Sequence, residues 1–135
     1  MTRPAVPMTR HLLRVRDLMD RAYAEPLDVA AMARRAHLSR AHFIRTFKDA
    51  FGESPHRYLM TRRLERAKAL LRAGQLSVTE VCLAVGFTSL GSFSAQFRRF
   101  VGDSPSGYAK RHAAAPGDLE RIPSCYVRMF TRPTL

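Results

Sequence analysis

The chain has 135 residues, 46% apolar and 25% charged, enough for one compact domain or two very small ones. Its 23 basic residues outnumber 11 acidic ones for a formal +12, and the apolar content excludes a disordered polycation. No apolar run approaches the roughly 18 residues of a membrane span, and the stretch from Met1 to Pro7 lacks the apolar core of a secretory signal.

A folded polycation favours a polyanionic partner, nucleic acid first and an acidic membrane surface second. Two cysteines, Cys82 and Cys125, are too few for a disulfide framework or an ordinary zinc site. Cys82 lies in an apolar helical stretch and reads as a small buried thiol. The five histidines, His11, His37, His42, His56 and His112, never fall at the i, i+4 spacing of a helical metal pair. No carboxylate pair, nucleophile with a base, or phosphate-cradling glycine loop is present in the pattern. The expectation is therefore no enzyme, no cofactor and no metal.

In chain order, the first helix is expected from Arg10 to Ala24, with Leu12, Val15, Met19 and Ala22 at helical spacing and Pro26 beyond its end. Residues 1–8 before it read as an N-terminal arm. Asp28 caps a short helix from Val29 to Ala36, and His37-Leu38 makes a turn. Ser39 caps a helix running to Phe51, stopped by Gly52. Pro55 opens a long helix to Ala73, with Gly74 just past its end. Ser77 caps Val78 to Val85, Gly86 sits in the next turn, and a helix from Ser89 to Val101 stops at Gly102. Ser104-Pro105 starts a last short helix through Lys110. The fold class expected is all-α, about seven helices, with two helix-turn-helix units (about 28–51 and 77–101) joined by a long central helix, 55–73.

These elements repeat. Phe43, Phe47, Gly52, Ser54, Pro55 and Tyr58 recur fifty residues later as Phe93, Phe97, Gly102, Ser104, Pro105 and Tyr108. Leu27 and Val29 match Leu76 and Val78 at an offset of forty-nine, so the second copy gains one residue at about Thr88. A single insertion between two helical patterns is what a turn tolerates. Two short helices joined by a tight turn, twice over, form the arrangement that places its second helix in a DNA major groove.

The faces of those second helices differ. In the first, Phe43, Phe47 and Phe51 form a stripe expected to face the core, while Ala41, Arg45 and Lys48 lie opposite, flanked by Arg40 and Ile44. In the second, Phe93, Phe97 and Phe100/Val101 form the stripe, and Gly91, Ala95 and Arg98 lie opposite, flanked by Leu90, Ser94 and Arg99, with Ser92 further round. Residues 1–73 carry 16 basic and 7 acidic groups, +9, against 7 and 4, +3, in residues 74–135. The nineteen residues of the central helix span about 28 Å at 1.5 Å each, the right order for two helices entering adjacent major grooves about 34 Å apart.

The stretch Val85-Gly86-Phe87-Thr88-Ser89, with Phe93-Ser94, Phe97 to Pro105 and Tyr108, resembles the AraC/XylS transcription regulators. So does Ser54-Pro55 with Tyr58-Leu59, Arg63-Leu64, Ala67 and Leu70-Leu71. The resemblance covers about residues 8–112, and the DNA-binding domain is placed at 9–112. It implies a seven-helix domain that binds double-stranded promoter DNA in the cytoplasm, at the nucleoid, most often as an activator contacting RNA polymerase. The base-reading positions it implies are Arg40, Ala41, Ile44 and Arg45, then Leu90, Gly91, Ser92 and Ala95. Lys48, Arg98 and Arg99 are expected to touch DNA as basic groups on the same faces. The second set lacks the long polar side chains many members carry. No small-molecule effector domain is evident, so the chain looks like the small, single-domain members. The alternative is an architectural, nucleoid-type binder that uses charge without base reading. Residues 113–135 form a tail outside the resemblance, with Ala113 to Gly117 as linker and an apolar cluster at Ile122, Cys125, Tyr126, Val127, Met129 and Phe130 expected to dock on the helices or on a partner.

Overall fold

The computed structural model describes residues 6–112, and the tail at 113–135 lies outside the described residues together with residues 1–5. Seven helices and no strands occur among the described residues: α1 (Val6–Arg21), α2 (Val29–Arg35), α3 (Arg40–Phe51), α4 (Pro55–Ala73), α5 (Val78–Ala84), α6 (Leu90–Val101) and α7 (Pro105–Arg111). None of them is long and apolar enough to cross a membrane. The chain divides into two units, one up to Arg62 and one from Arg63, so the continuous helix α4 supplies its first part to one and its second part to the other.

Capping fixes most helix starts. Asp28 accepts the Ala31 N–H at 2.6 Å, Ser39 the His42 N–H at 3.2 Å, and Ser89 the Ser92 N–H at 3.2 Å. Ser77 and Glu80 satisfy each other's backbone reciprocally at the start of α5, which holds the Glu80 carboxyl below the usual carboxylate range. Helices α3 and α6 both stop at a left-handed glycine, Gly52 at φ 82° and Gly102 at φ 90°.

Helix α1 departs from expectation at both ends. It begins at Val6, inside the arm assigned to residues 1–8, because proline is tolerated in a first turn where its missing N–H has no intrahelical partner. It ends at Arg21 rather than Ala24. Pro26 disfavours the helical region for Glu25, and the chain instead turns, the Glu25 N–H donating to the Ala22 carbonyl at 3.0 Å.

In the first unit, Leu12, Val15 and Met19 of α1, Met32 and Ala33 of α2, Phe43 and Phe47 of α3 and Leu59 of α4 are buried. The Phe47 ring meets Phe43 at 5.7 Å and Tyr58 at 5.8 Å between centroids. In the second unit, Leu70 and Leu71 of α4, Val81 and Cys82 of α5, and Phe93 and Phe97 of α6 are buried. Phe97 there meets Phe93 at 5.7 Å and Tyr108 at 5.5 Å. The stripes are shorter than expected at their C-terminal ends. Phe51 is only half-buried, with the Arg16 guanidinium 4.6 Å from its ring centroid. Phe100 is 42% exposed, and Lys68 reaches toward its ring.

The tyrosines tie each unit's last helix to its first. Tyr58 donates to Asp20 of α1 at 2.8 Å, and Arg62 also reaches Asp20, at 3.2 Å. Burial, then the Asp20 hydrogen bond, pushes the Tyr58 hydroxyl above its ordinary pKa, against an opposing pull from Arg62. In the second unit, Tyr108 accepts from Arg72 of α4 at 3.3 Å. Helix α4 thus closes the first unit as α7 closes the second, and opens the second as α1 opens the first.

Replacing Phe47 or Phe97 by alanine removes a fully buried ring with aromatic neighbours on both sides. Each variant is expected to lose about 3–5 kcal/mol in denaturant unfolding. Unchanged unfolding with altered DNA binding would move these rings from the core to the interface.

Candidate nucleic-acid interface

The two helix pairs are built on the same turn. At the end of α2, the His37 N–H donates to the Arg34 carbonyl at 3.0 Å and the Leu38 N–H to the Ala33 carbonyl at 3.0 Å. At the end of α5, Gly86 donates to Leu83 at 3.1 Å and Phe87 to Cys82 at 3.0 Å. This pair of bonds is a Schellman closure, which needs a left-handed residue just past the helix. Gly86 provides it at φ 98° and His37 at φ 60°. His37 accepts the conformation without glycine's freedom, and its ring lies 4.8 Å from His11, edge to face. Ser39 caps α3 two residues after His37, whereas Ser89 caps α6 three after Gly86, so the inserted residue is Thr88.

With the turn and the phenylalanines fixed, the opposite faces of α3 and α6 are held outward. Arg40, Ala41, Arg45 and Lys48 are exposed and Ile44 is half-buried. Two neighbours went unread in the sequence. His42 and Asp49 are exposed on α3 as well, and they stand about 60° and 40° around the helix from Arg45, a placement that 3.6 residues per turn supplies. The Asp49 carboxylate opposes phosphate approach at that spot and can accept from a cytosine amino group. On α6, Leu90, Gly91, Ser92, Ala95, Arg98 and Arg99 are all exposed. All of the expected residues are thus exposed on the two helices except Ile44, which is half-buried.

The two faces offer different chemistry. At the positions fifty residues apart, Arg40 becomes Leu90, Arg45 becomes Ala95, and only the Lys48/Arg98 pair stays basic. Helix α3 can present guanidinium forks to base edges, whereas α6 presents small and apolar groups until its last turn. Among the described residues no group of three or more metal-ligating side chains assembles.

The helix-turn-helix domain family matches residues 32–111 of the chain. The chain is similar to the probable transcriptional regulator LumQ of Photobacterium leiognathi, at 38% identity over 82 residues, 61% of this chain and 33% of that protein. It is similar to the HTH-type transcriptional regulator GlxA of Rhizobium meliloti, at 36% identity over 100 residues, 74% of this chain and 31% of that one. It thus spans about a third of the length of these curated relatives. Among solved structures it is similar to the DNA-binding domain of the global transcriptional factor AdpA in complex with a target DNA, with a TM-score of 0.71 at 32% identity, over 84% of this chain and 97% of that one.

The shared turn makes a stability prediction. Gly86→Ala forces a side chain into the left-handed region and is expected to lower unfolding stability by about 1–2 kcal/mol. Thermal melts of the purified variant check this, and an unchanged melt would mean the turn closes some other way.

Proposed function

Because this chain belongs to the AraC/XylS type of the helix-turn-helix family, we propose that it is a sequence-specific transcription regulator. In this reading it binds promoter DNA as a monomer, α3 in one major groove and α6 in the next. The observation that carries the reading is the outer face of α3, where Arg40, Arg45 and Lys48 are exposed behind a helix pinned by Phe43 and Phe47. Helix α4, with nineteen residues, is of the right order of length for a two-groove monomer. The target DNA in the AdpA complex supports DNA as the partner here.

Each residue then has a role. Arg45 takes a guanine through its O6 and N7, and Arg40 a second base edge or a phosphate. Ala41 and Ile44 sit against thymine methyl groups. On α6, Leu90 and Ala95 do the same, Gly91 and Ser92 allow close approach of the backbone, and Arg98 and Arg99 hold phosphates. Lys48 holds a phosphate from α3. The DNA-binding domain is proposed to run to residue 112, the setting to be the cytoplasmic nucleoid, and the outcome to be activation through RNA polymerase. The high net charge and the small side chains of α6 favour the second reading, an architectural binder that reads no bases.

Selection of bound sequences from a random DNA pool decides between them. The regulator reading expects one recurrent sequence, bound at least about a thousandfold more tightly than random DNA. A ratio near unity would leave the charge-only binder.

Two further outcomes follow from the roles. Arg45→Ala is expected to cost about 1–3 kcal/mol on the selected site and to flatten preference at one base pair. Equal loss on selected and random DNA, read by titration, would make Arg45 a phosphate contact. Single base-pair substitutions across the site are expected to cost about 1–3 kcal/mol each in the groove of α3 and less in the groove of α6. Equal penalties in both grooves would sink the division of labour.

A further inference from the structure

The outer face of α6 is also one wall of an open groove of about 790 Å³ within the second unit. Val78 at the start of α5, Leu90 and Ala95 on α6 and Pro105 at the start of α7 give the groove apolar sides, and Ser94, Arg98, Arg99, Ser104 and Ser106 also line it. Leu90 is 44% exposed there, a large apolar side chain left in water. The groove lies beside the element from which the rest of the chain departs. Helix α7 starts at the groove with Pro105 and ends at Arg111, a path of about 10 Å at 1.5 Å per residue.

After His112 the sequence continues for 23 residues. Residues 113–121 are small, polar or charged apart from Leu119, and then Ile122, Tyr126, Val127, Met129 and Phe130 crowd into nine positions with Arg128 as their one charge. Nine residues can span up to about 30 Å, roughly three times the length of α7, so this cluster can return to the groove. A segment without acidic residues is no mimic of the DNA backbone and would gain little from Arg98 and Arg99. Its complement in the second unit is the apolar wall, where both surfaces leave water together.

We propose that the segment Ile122–Phe130 packs into this groove of its own chain, so that the tail and DNA compete for the outer face of α6. The competition rests on the DNA-binding reading above, whereas the docking does not.

The chain carries a chemical reporter for the docking. Cys125 lies within the segment, and the other cysteine, Cys82, is buried, its Sγ 3.9 Å from the Phe87 carbonyl oxygen and its thiol pushed up by burial. Ser94 lines the groove, and Ser94→Cys in the full chain places a thiol on its wall. A disulfide demands Cα atoms within about 7 Å. In dilute protein with oxidised glutathione, the Ser94→Cys variant is expected to form an intramolecular disulfide to Cys125, identified by peptide mapping. Gln75→Cys, at an exposed position of the same unit, is expected to form it at least about tenfold more slowly. Equal rates at the two positions, or disulfide-linked dimers as the main product, would overturn the docking.

The double variant Tyr126→Ser/Phe130→Ser tests the competition. It is expected to bind the selected DNA roughly tenfold more tightly, the gain when about nine-tenths of the molecules are closed. Unchanged or weaker binding beside a positive cross-link would overturn the competition and count against the DNA-facing assignment of α6, leaving the docking in place.

Discussion

What α3 and α6 expose depends on what they bury. In each helix two phenylalanines one turn apart sit in the core, and the second of them meets a tyrosine from the following helix, Phe47 with Tyr58 and Phe97 with Tyr108. Rotation of α3 by one residue, 100°, would bring Ile44 and Lys48 into the places of Phe43 and Phe47, so the rings lock the helix about its axis. The Schellman turn at one end and the left-handed glycine at the other lock it along its axis. Arg45 can be aimed because Phe43 and Phe47 cannot move. A protein interior packed to crystal density transmits that constraint without slack.

The same constraint frees the outer faces to diverge. Positions 43 and 47 are phenylalanine again at 93 and 97, and the caps and stops repeat as serine and glycine. The exposed positions do not repeat, apart from a basic group at Lys48 and Arg98. A position that stays basic in both units suits what two DNA grooves share, the phosphate backbone, and positions that change suit what differs, the base sequence. The division extends to the whole chain, since most of the net charge lies before residue 74.

How much of this was legible in the sequence depended on whether its cause was local. Caps, stops and proline starts involve residues three or four apart, and α3 and α4 begin and end where Ser39, Gly52, Pro55 and Gly74 place them. The fold class and the outward faces followed from helical periodicity. The failures had other causes. A proline in the first turn of α1 looked like an arm, because its tolerance depends on where the helix begins. Phe51 and Phe100 continued a stripe by spacing, yet burial at a helix end is decided by what other helices bring, and Arg16 and Lys68 came instead. The left-handed backbone of His37 is hidden behind an ordinary residue, and only its alignment with Gly86 gives it away.

Direct reading of bases by α6 is the weakest part of the two-groove picture, and its physical terms show why. Discrimination against a wrong base comes largely from bidentate hydrogen bonds, and Leu90, Gly91 and Ala95 have no side-chain donor or acceptor to form one. Apolar contact with a thymine methyl and close backbone approach remain, and both depend on groove width more than on base identity. Contact of that kind is sensitive to how the DNA bends beneath it. The second unit would then act as a gauge of DNA shape beside a reader of sequence. In that reading Arg98 and Arg99 would hold the phosphates under the gauge, and Arg45 would choose the base pair that the first unit reads.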